Sequence, residues 1–251
     1  LSIGANVFSN NSLSSIDFTN CKNLTSIGNL AFDSIFSLHT IDLSKCEKLT
    51  TLGTSLFSYC SSLVSVKLPQ HLTTISDGMF YYCNSLTTIK LPSSLTALGT
   101  NVFYECTSLK TISIPSGVTS IPANAFYYCS ALTSIDLSAC TSLASIGDSA
   151  FRGCSALKQI TIPKNVTSIG ANAFDSCASL TSAILPSGLT SLGAYAFNNC
   201  SALVNINLGD TKIDSVGNRT FYQCKNLSSA YIPSTVTSVG DFAFEGCSKL
   251  T

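Results

Sequence analysis

Charge is scarce in this sequence and balanced where it occurs. Asp, Glu, Lys and Arg make up 10% of the 251 residues, thirteen of each sign, so the formal net charge is zero. A chain without a basic excess has no electrostatic footprint for DNA, RNA or an anionic membrane surface. It also repels its own copies weakly, so Ser, Thr and Asn must do the solvating. Long apolar runs are missing as well: none approaches the roughly 20 residues a membrane-crossing helix needs. No signal-peptide pattern is present. The chain opens at LSIGANVF and closes at CSKLT, each already inside a recurring phrase. That reads as a piece of a longer protein, cut within repeats at both ends.

Histidine is nearly absent. His39 and His71 are the only two, and neither recurs with the pattern below, so nothing pairs a Cys or Ser nucleophile with a base. The close C-x-x-C pairs of a zinc site are missing. So are a phosphate loop, a Gly-rich cofactor fingerprint and a Ser/His/Asp constellation. The expectation is a chain with no catalytic residues, no metal and no cofactor.

What fills the sequence is a repeat. Phe8, Phe32, Phe57, Phe80, Phe103, Phe126, Phe151, Phe174, Phe197, Phe221 and Phe244 follow one another at intervals of 23 to 25 residues. A period of that size means a solenoid, each unit burying its apolar face against its neighbours. With 45% hydrophobic residues there is ample material for a core. The consensus around the Phe is L-T-S-I-x-L/I-P-x-x-V/L-T-S-I-G-x-x-A-F-x-x-C-x-x-L. In LTSIDL (132–137) Ile135 and Leu137 point inward and Ser134 and Asp136 outward, the alternation of a half-buried strand. Stacked units align such strands in parallel, about 4.8 Å apart. The V/L-T-S-I phrase suits a second short strand. In A-F-x-x-C-x-x-L the spacing is helical, since Phe126, Cys129 and Leu132 fall three apart, and this predicts a short helix or 3-10 turn on the opposite face. Asp77, Asp148, Asn218 and Asp241 stand where N-caps of such helices would be. Gly precedes that segment in nine of the eleven units, Ser76 and Pro122 being the exceptions, which suits a tight turn with positive φ.

The six 23-residue intervals each carry a proline after the strand: Pro69, Pro92, Pro115, Pro163, Pro186 and Pro233. The four longer intervals lack it, and three of them carry Cys21, Cys46 or Cys140 instead. Proline fixes φ and cuts the strand short, whereas the alternative takes a longer turn and supplies an inward side chain.

Units such as LTSIDLSACTSL (132–143) resemble L-x-x-L-x-L-x-x-N/C-x-L, the core of the leucine-rich repeat, with Cys140 at the Asn/Cys position. The 23-residue units, such as LKTISIPSGVTSIPANAFYYCS (109–130), are similar to the BspA-type subclass, and the resemblance covers the whole chain. It implies a single curved solenoid over 1–251, a leucine-rich-repeat superhelix of about eleven units with a parallel sheet on one face and short helices, 3-10 turns and loops on the other. It further implies a bacterial or protist cell-surface location and a role in adhesion or in binding host extracellular-matrix or cell-surface protein. It transfers no binding residue.

Nine cysteines, Cys60, Cys83, Cys106, Cys129, Cys154, Cys177, Cys200, Cys224 and Cys247, lie three residues after the anchor Phe. The first two units have Asn11 and Ile35 there, so an apolar side chain fills the slot. A ladder of buried thiols acting as small hydrophobes is the expected reading, with disulfides as the alternative.

Two surfaces are candidates for function. The central outward column of the strand face reads Asp17, Asp42, Lys67, Lys90, Ser113, Asp136, Thr161, Ile184, Asn207 and Tyr231, flanked by His39, Lys110, Lys158 and Gln159. Varied chemistry on a uniform scaffold is what a binding face requires, and drift on an exposed surface gives the same variation. The second is an aromatic stripe, Tyr59, Tyr81, Tyr82, Tyr104, Tyr127 and Tyr128, in the two positions after the anchor Phe. Equivalent positions elsewhere are Asp175, Asn198, Asn199 and Glu245, which marks the stripe as exposed. Tyrosine is a frequent contact residue, but neighbouring rings can also stack to thicken a wall. N-x-S/T sequons occur at Asn10, Asn23, Asn165, Asn199, Asn218 and Asn226. The functional reading is a non-catalytic binding or adhesion module; the rival is a structural spacer or self-assembling scaffold.

Overall fold

A computed structural model describes residues 1–251. Its strands are short, and every pairing is parallel between equivalent segments of neighbouring units. They form two series. The longer strands are Thr40–Asp42, Ser65–Lys67, Thr111–Ser113, Ser134–Asp136, Gln159–Thr161, Ser182–Ile184, Asn205–Asn207 and Ser229–Tyr231. The two-residue strands of the V/L-T-S-I phrase run from Ser2–Ile3 to Ser238–Val239, one in each of the eleven units. Register is uniform: Ile41 pairs with Val66, Ile135 with Ile112, and Ile146 with both Ile121 and Ile169. The result is a parallel β-solenoid of about ten turns.

One apolar core runs its length. Its spine is the anchor column: successive Phe rings stack with centroids 5.2–5.8 Å apart and planes within 14° of parallel, from Phe8 to Phe244. The nine rings from Phe32 to Phe221 are fully buried. Each such ring contributes roughly 1.5–3 kcal/mol from burial alone.

The expected helices are not there; the third wall consists of turns. The backbone shows why. Two residues flank each anchor Phe, two before and two after, with positive φ: Asn124 and Tyr128 around Phe126, Asn172 and Ser176 around Phe174, Tyr195 and Asn199 around Phe197. The same pair occurs in all eleven units and accounts for every positive φ in the chain. A left-handed residue every fourth position ends a right-handed helix before a turn of it can form. The freed N–H groups point along the solenoid axis instead. Asn124, Phe126 and Tyr128 donate to the carbonyls of Asp148, Ala150 and Arg152 in the next unit at 2.9, 2.8 and 2.7 Å. Thus the turn wall is a hydrogen-bonded ladder without being a sheet.

The glycines before this segment also differ from expectation. None of the nine has positive φ; at all but Gly4 the backbone of the preceding unit approaches too closely for a Cβ. A Cβ on Gly99, Gly170 or Gly193 would sit 2.3, 2.5 and 2.4 Å from the backbone nitrogens of Asp77, Asp148 and Ala171. Each of these glycines donates its N–H to a carbonyl of the preceding unit, Ile75, Ile146 and Ile169, at 2.7–2.8 Å. The two exceptions coincide with two of the three breaks in the short-strand sheet, after Thr51–Leu52 and after Ala97–Leu98. At the first, the Ser76 hydroxyl takes over the bond to the Leu52 carbonyl at 2.5 Å. At the second, Pro122 has no N–H to give.

The supposed N-caps serve neighbours rather than themselves. Asp77, Asp148 and Asn218 accept the N–H groups of Thr100, Ala171 and Asp241 in the following unit at 2.6, 2.8 and 2.9 Å. Asn29 does the same for Thr54 at 3.0 Å.

Candidate binding faces

The long strands keep their alternation, with Ile112, Ile160 and Ile206 buried and their neighbours exposed. The central column therefore does face solvent along the whole solenoid. Its members nevertheless fall into two groups. Asp17, Asp42, Asp136 and Asn207 belong to the four longer units, and each holds its own turn. Their Oδ1 atoms accept the N–H of Thr19, Ser44, Ser138 and Gly209 at 2.8, 3.0, 2.9 and 3.0 Å. This side-chain turn replaces the proline of the shorter units. Those bonds hold the carboxyl groups of Asp17 and Asp136 below their usual range. Asp42 goes down to about 2, through Ser44 first and Lys67 second. The inward residue such a turn supplies is Cys46, Cys140 or Thr211, all buried, and Cys21, half-buried. Thr211 is the counterpart that the count of cysteines missed; the signal was INLGDT aligned with IDLSKC and IDLSAC.

The other six, Lys67, Lys90, Ser113, Thr161, Ile184 and Tyr231, lie in the proline-closed units and have no such duty. Lys67 makes an ion pair with Asp42 at 2.9 Å, both well exposed, worth about 0–1 kcal/mol. Ile184 and Tyr231 stand 59% and 76% exposed. His39, Lys110, Lys158 and Gln159 are exposed beside them, with His39 Nδ1 2.7 Å from the Ser37 carbonyl. Two surface grooves lie on this face, one of 570 Å³ touching Lys90, Ser113 and Asp136 and one of 770 Å³ touching Asp136, Gln159, Thr161 and Ile184; a hollow of 830 Å³ touches Asn207 and Tyr231 and opens onto Phe244 and Leu250 of the last unit.

The tyrosines form one stack on the turn wall. Tyr59 lies against Tyr82, Tyr81 against Tyr104 and Tyr104 against Tyr127, with centroids 5.2, 4.7 and 4.4 Å apart. Tyr128 leans on Tyr127 at 4.8 Å. Tyr59 and Tyr128 are exposed and the other four half-buried, so the stripe is less open than its polar counterparts implied. Asp175, one of those counterparts, is buried. It pairs with Arg152 Nε at 2.9 Å and accepts from Asn198 Nδ2 at 2.8 Å. Arg152 in turn lies over the Tyr127 ring at 5.7 Å, so the stack closes on a cation and then a buried acid. The Tyr82 hydroxyl donates to Glu105 at 2.8 Å; that bond, then burial, raises Tyr82 to about 12.

All twelve cysteines are free thiols. The nine of the main column each donate to the carbonyl of an anchor Phe: Cys106 to Phe80, Cys129 to Phe103 and Cys154 to Phe126, at 3.2, 3.1 and 3.1 Å. The six others range from 3.0 to 3.2 Å. Burial pushes Cys60 and Cys224 up to about 12 and Cys83, Cys106, Cys154 and Cys200 well above the ordinary thiol range. Such thiols are not nucleophiles at neutral pH. No three His, Cys, Asp or Glu side chains converge as a metal set, and no helix is long and apolar enough to cross a membrane. Of the sequons, Asn218 already holds Asp241 and Asn23 accepts from Lys48 Nζ at 2.9 Å.

The geometry has relatives among solved structures. A leucine-rich repeat protein from Bacteroides ovatus superposes with a TM-score of 0.68 at 26% identity, over 91% of this chain and 69% of that one. A leucine rich cell surface protein from Faecalibacterium prausnitzii gives 0.51 at 27% identity, over 100% and 81%. The leucine rich repeat protein of T. pallidum gives 0.51 at 26%, over 72% of each chain. No curated protein sequence matches significantly. The model of the BspA type leucine rich repeat region matches residues 1–133 and 119–251, in six copies, so the whole chain is covered. The chain belongs to the BspA-type leucine-rich repeat family.

Proposed function

We propose that this solenoid is a non-catalytic protein-binding or adhesion module of a cell-surface protein, and that it binds through the long-strand face. The family is one of repeat proteins that are typically not enzymes and generally occur at surfaces. The observation that carries the reading is where variation is found. Once Asp17, Asp42, Asp136 and Asn207 are set aside as turn-holders, the remaining column runs through Lys67, Lys90, Ser113, Thr161, Ile184 and Tyr231. Chemistry changes where side chains carry no structural duty, and two of them project large apolar groups into solvent. Rigid exposed side chains beside grooves are suited to a protein ligand, with an aromatic anchor at Tyr231. A host extracellular-matrix or cell-surface protein is the partner class proposed.

The test is binding of the folded chain to immobilised matrix proteins and to whole cells, beside the variant Lys90→Glu, Ile184→Ser, Tyr231→Ser. Lys67 is left intact because reversing it would set two acids against each other at Asp42. Saturable binding lost in that variant supports the face. Binding kept there but lost in Tyr81→Asn, Tyr82→Asn, Tyr127→Asn, Tyr128→Asn moves the site to the turn wall. A chain that binds nothing returns the spacer or scaffold as the better reading.

A further inference from the structure

Ten of the twelve thiols have a hydrogen-bond acceptor: the nine of the main column, and Cys140, which donates to the Ile114 carbonyl at 3.3 Å. The two without one are Cys21 and Cys46, and they occupy the same place in adjacent units. The register between those units is constant on the stretch that follows. Ile27 pairs with Leu52, the Thr50 N–H donates to the Thr25 carbonyl at 3.1 Å, and Lys48 Nζ reaches Asn23 Oδ1 at 2.9 Å. Each of these pairs is offset by 25 residues, as Cys46 is from Cys21. Stacked strands are about 4.8 Å apart, inside the roughly 4.4–6.8 Å between Cα atoms that a disulfide spans. Cys46 is fully buried and Cys21, in the first unit of the chain, is half-buried. Burial first, and then the Cys21 thiol itself, raises Cys46. Cys140 has no such partner, because the units on either side of it carry Pro115 and Pro163.

We propose that Cys21 and Cys46 form a reversible disulfide that staples the first two turns of the solenoid when the protein meets a disulfide oxidant. The Cys21 thiolate attacks one sulfur of a low-molecular-weight disulfide, releasing one thiol and leaving a mixed disulfide on Cys21. The Cys46 thiolate then attacks the Cys21 sulfur and displaces the second thiol. Two protein S–H groups become one S–S bond; their two electrons reduce the oxidant's S–S bond, and its two sulfurs leave as thiols carrying the two protons. The ten remaining thiols stay reduced because they are buried and bonded to carbonyls. The cysteine-rich wall therefore persists in an oxidising compartment with a single cross-link.

The experiment equilibrates the folded chain with oxidised glutathione, quenches with acid, then unfolds and alkylates with iodoacetamide. Intact mass and tryptic mapping follow, since Lys22 and Lys45 place cleavage sites between the two cysteines. Expected are ten alkylated thiols, a cross-linked peptide joining Cys21 to Cys46, twelve alkylated thiols after prior reduction, and a melting temperature several degrees higher in the oxidised form. Cys21→Ser should show eleven alkylated thiols and no oxidant-dependent shift in melting. Twelve alkylated thiols after oxidation, a glutathione adduct that stays on Cys21, or a cross-link between any other pair would overturn the proposal. The wild-type map decides alone should the variant fold poorly.

Discussion

The turn wall and the long-strand sheet come from the same repeat, yet they differ in what each unit is free to change. On the turn wall all eleven units share two left-handed residues, a stacked Phe ring and axial N–H bonds. A thiol bonded to the preceding Phe carbonyl runs through nine of them. The sheet looks the more regular element and is the looser one. Its long strands pair in three separate groups, and Thr88–Lys90 is not in any of them. Its outward residues range from lysine to isoleucine. Fold determination sits mainly in the wall without named secondary structure, and freedom to vary sits on the sheet.

Four comparisons press on that contrast, the largest effect first. Phe126→Ala removes one ring from the middle of the stack and should cost roughly 3–5 kcal/mol in urea denaturation. Ile184→Ala on the sheet face should stay within about 0.5 kcal/mol. Equal costs for the two would erase the distinction. Gly193→Ala pushes a Cβ to 2.4 Å from the Ala171 nitrogen and should cost roughly 1–3 kcal/mol. Gly188→Ala, whose nearest neighbour is the Lys164 carbonyl at 3.5 Å, should be tolerated. Thermal melts of the pair tell close approach from backbone flexibility.

Cys129→Ala loses the thiol bond to Phe103 and should destabilise by about 1 kcal/mol; in the reduced protein Cys21→Ala, with no acceptor to lose, should cost less. The smallest effect concerns pH. Asp42 is depressed to about 2 in the folded chain, so its contribution is complete above an ordinary carboxylate value near 3.8 and is lost as pH falls toward 2. The side chain is exposed, so the loss is small. Asp42→Asn keeps an acceptor for Ser44 and removes the titration, and its melting temperature should fall less than that of wild type between pH 5 and pH 2.5. An unchanged slope would mean that Asp42 does not hold its turn through the charged form.

Much of this was legible beforehand because the repeat gives each column eleven trials. The period, the inward Ile and Leu positions, the second short strand and the proline-for-long-turn exchange all follow from residue identity at fixed spacing. The turn wall was misread because Phe126, Cys129 and Leu132 have helical spacing, and spacing says nothing about φ at Asn124 and Tyr128. The glycines were assigned to conformation when Gly99 and Gly193 answer to a backbone in another unit. Asp136 and Asn207 looked like ligand-facing variation because their bonds to Ser138 and Gly209 are invisible until the turn is built.

The sequence by itself determined a solenoid of one family, with a Phe spine and one face of changing chemistry, since these depend on which residue recurs and how often. Only the tertiary structure decided that the third wall is a ladder of turns, that ten thiols have carbonyl acceptors while Cys21 and Cys46 have none, and that four of the ten residues in the variable column hold their own turns. The first two outcomes depend on contacts between residues 22 to 28 positions apart, through groups that recur in every unit or belong to the backbone, and the third on side-chain bonds to the residue two positions on. Counting residues along one unit cannot show which group of the next unit each of them will meet.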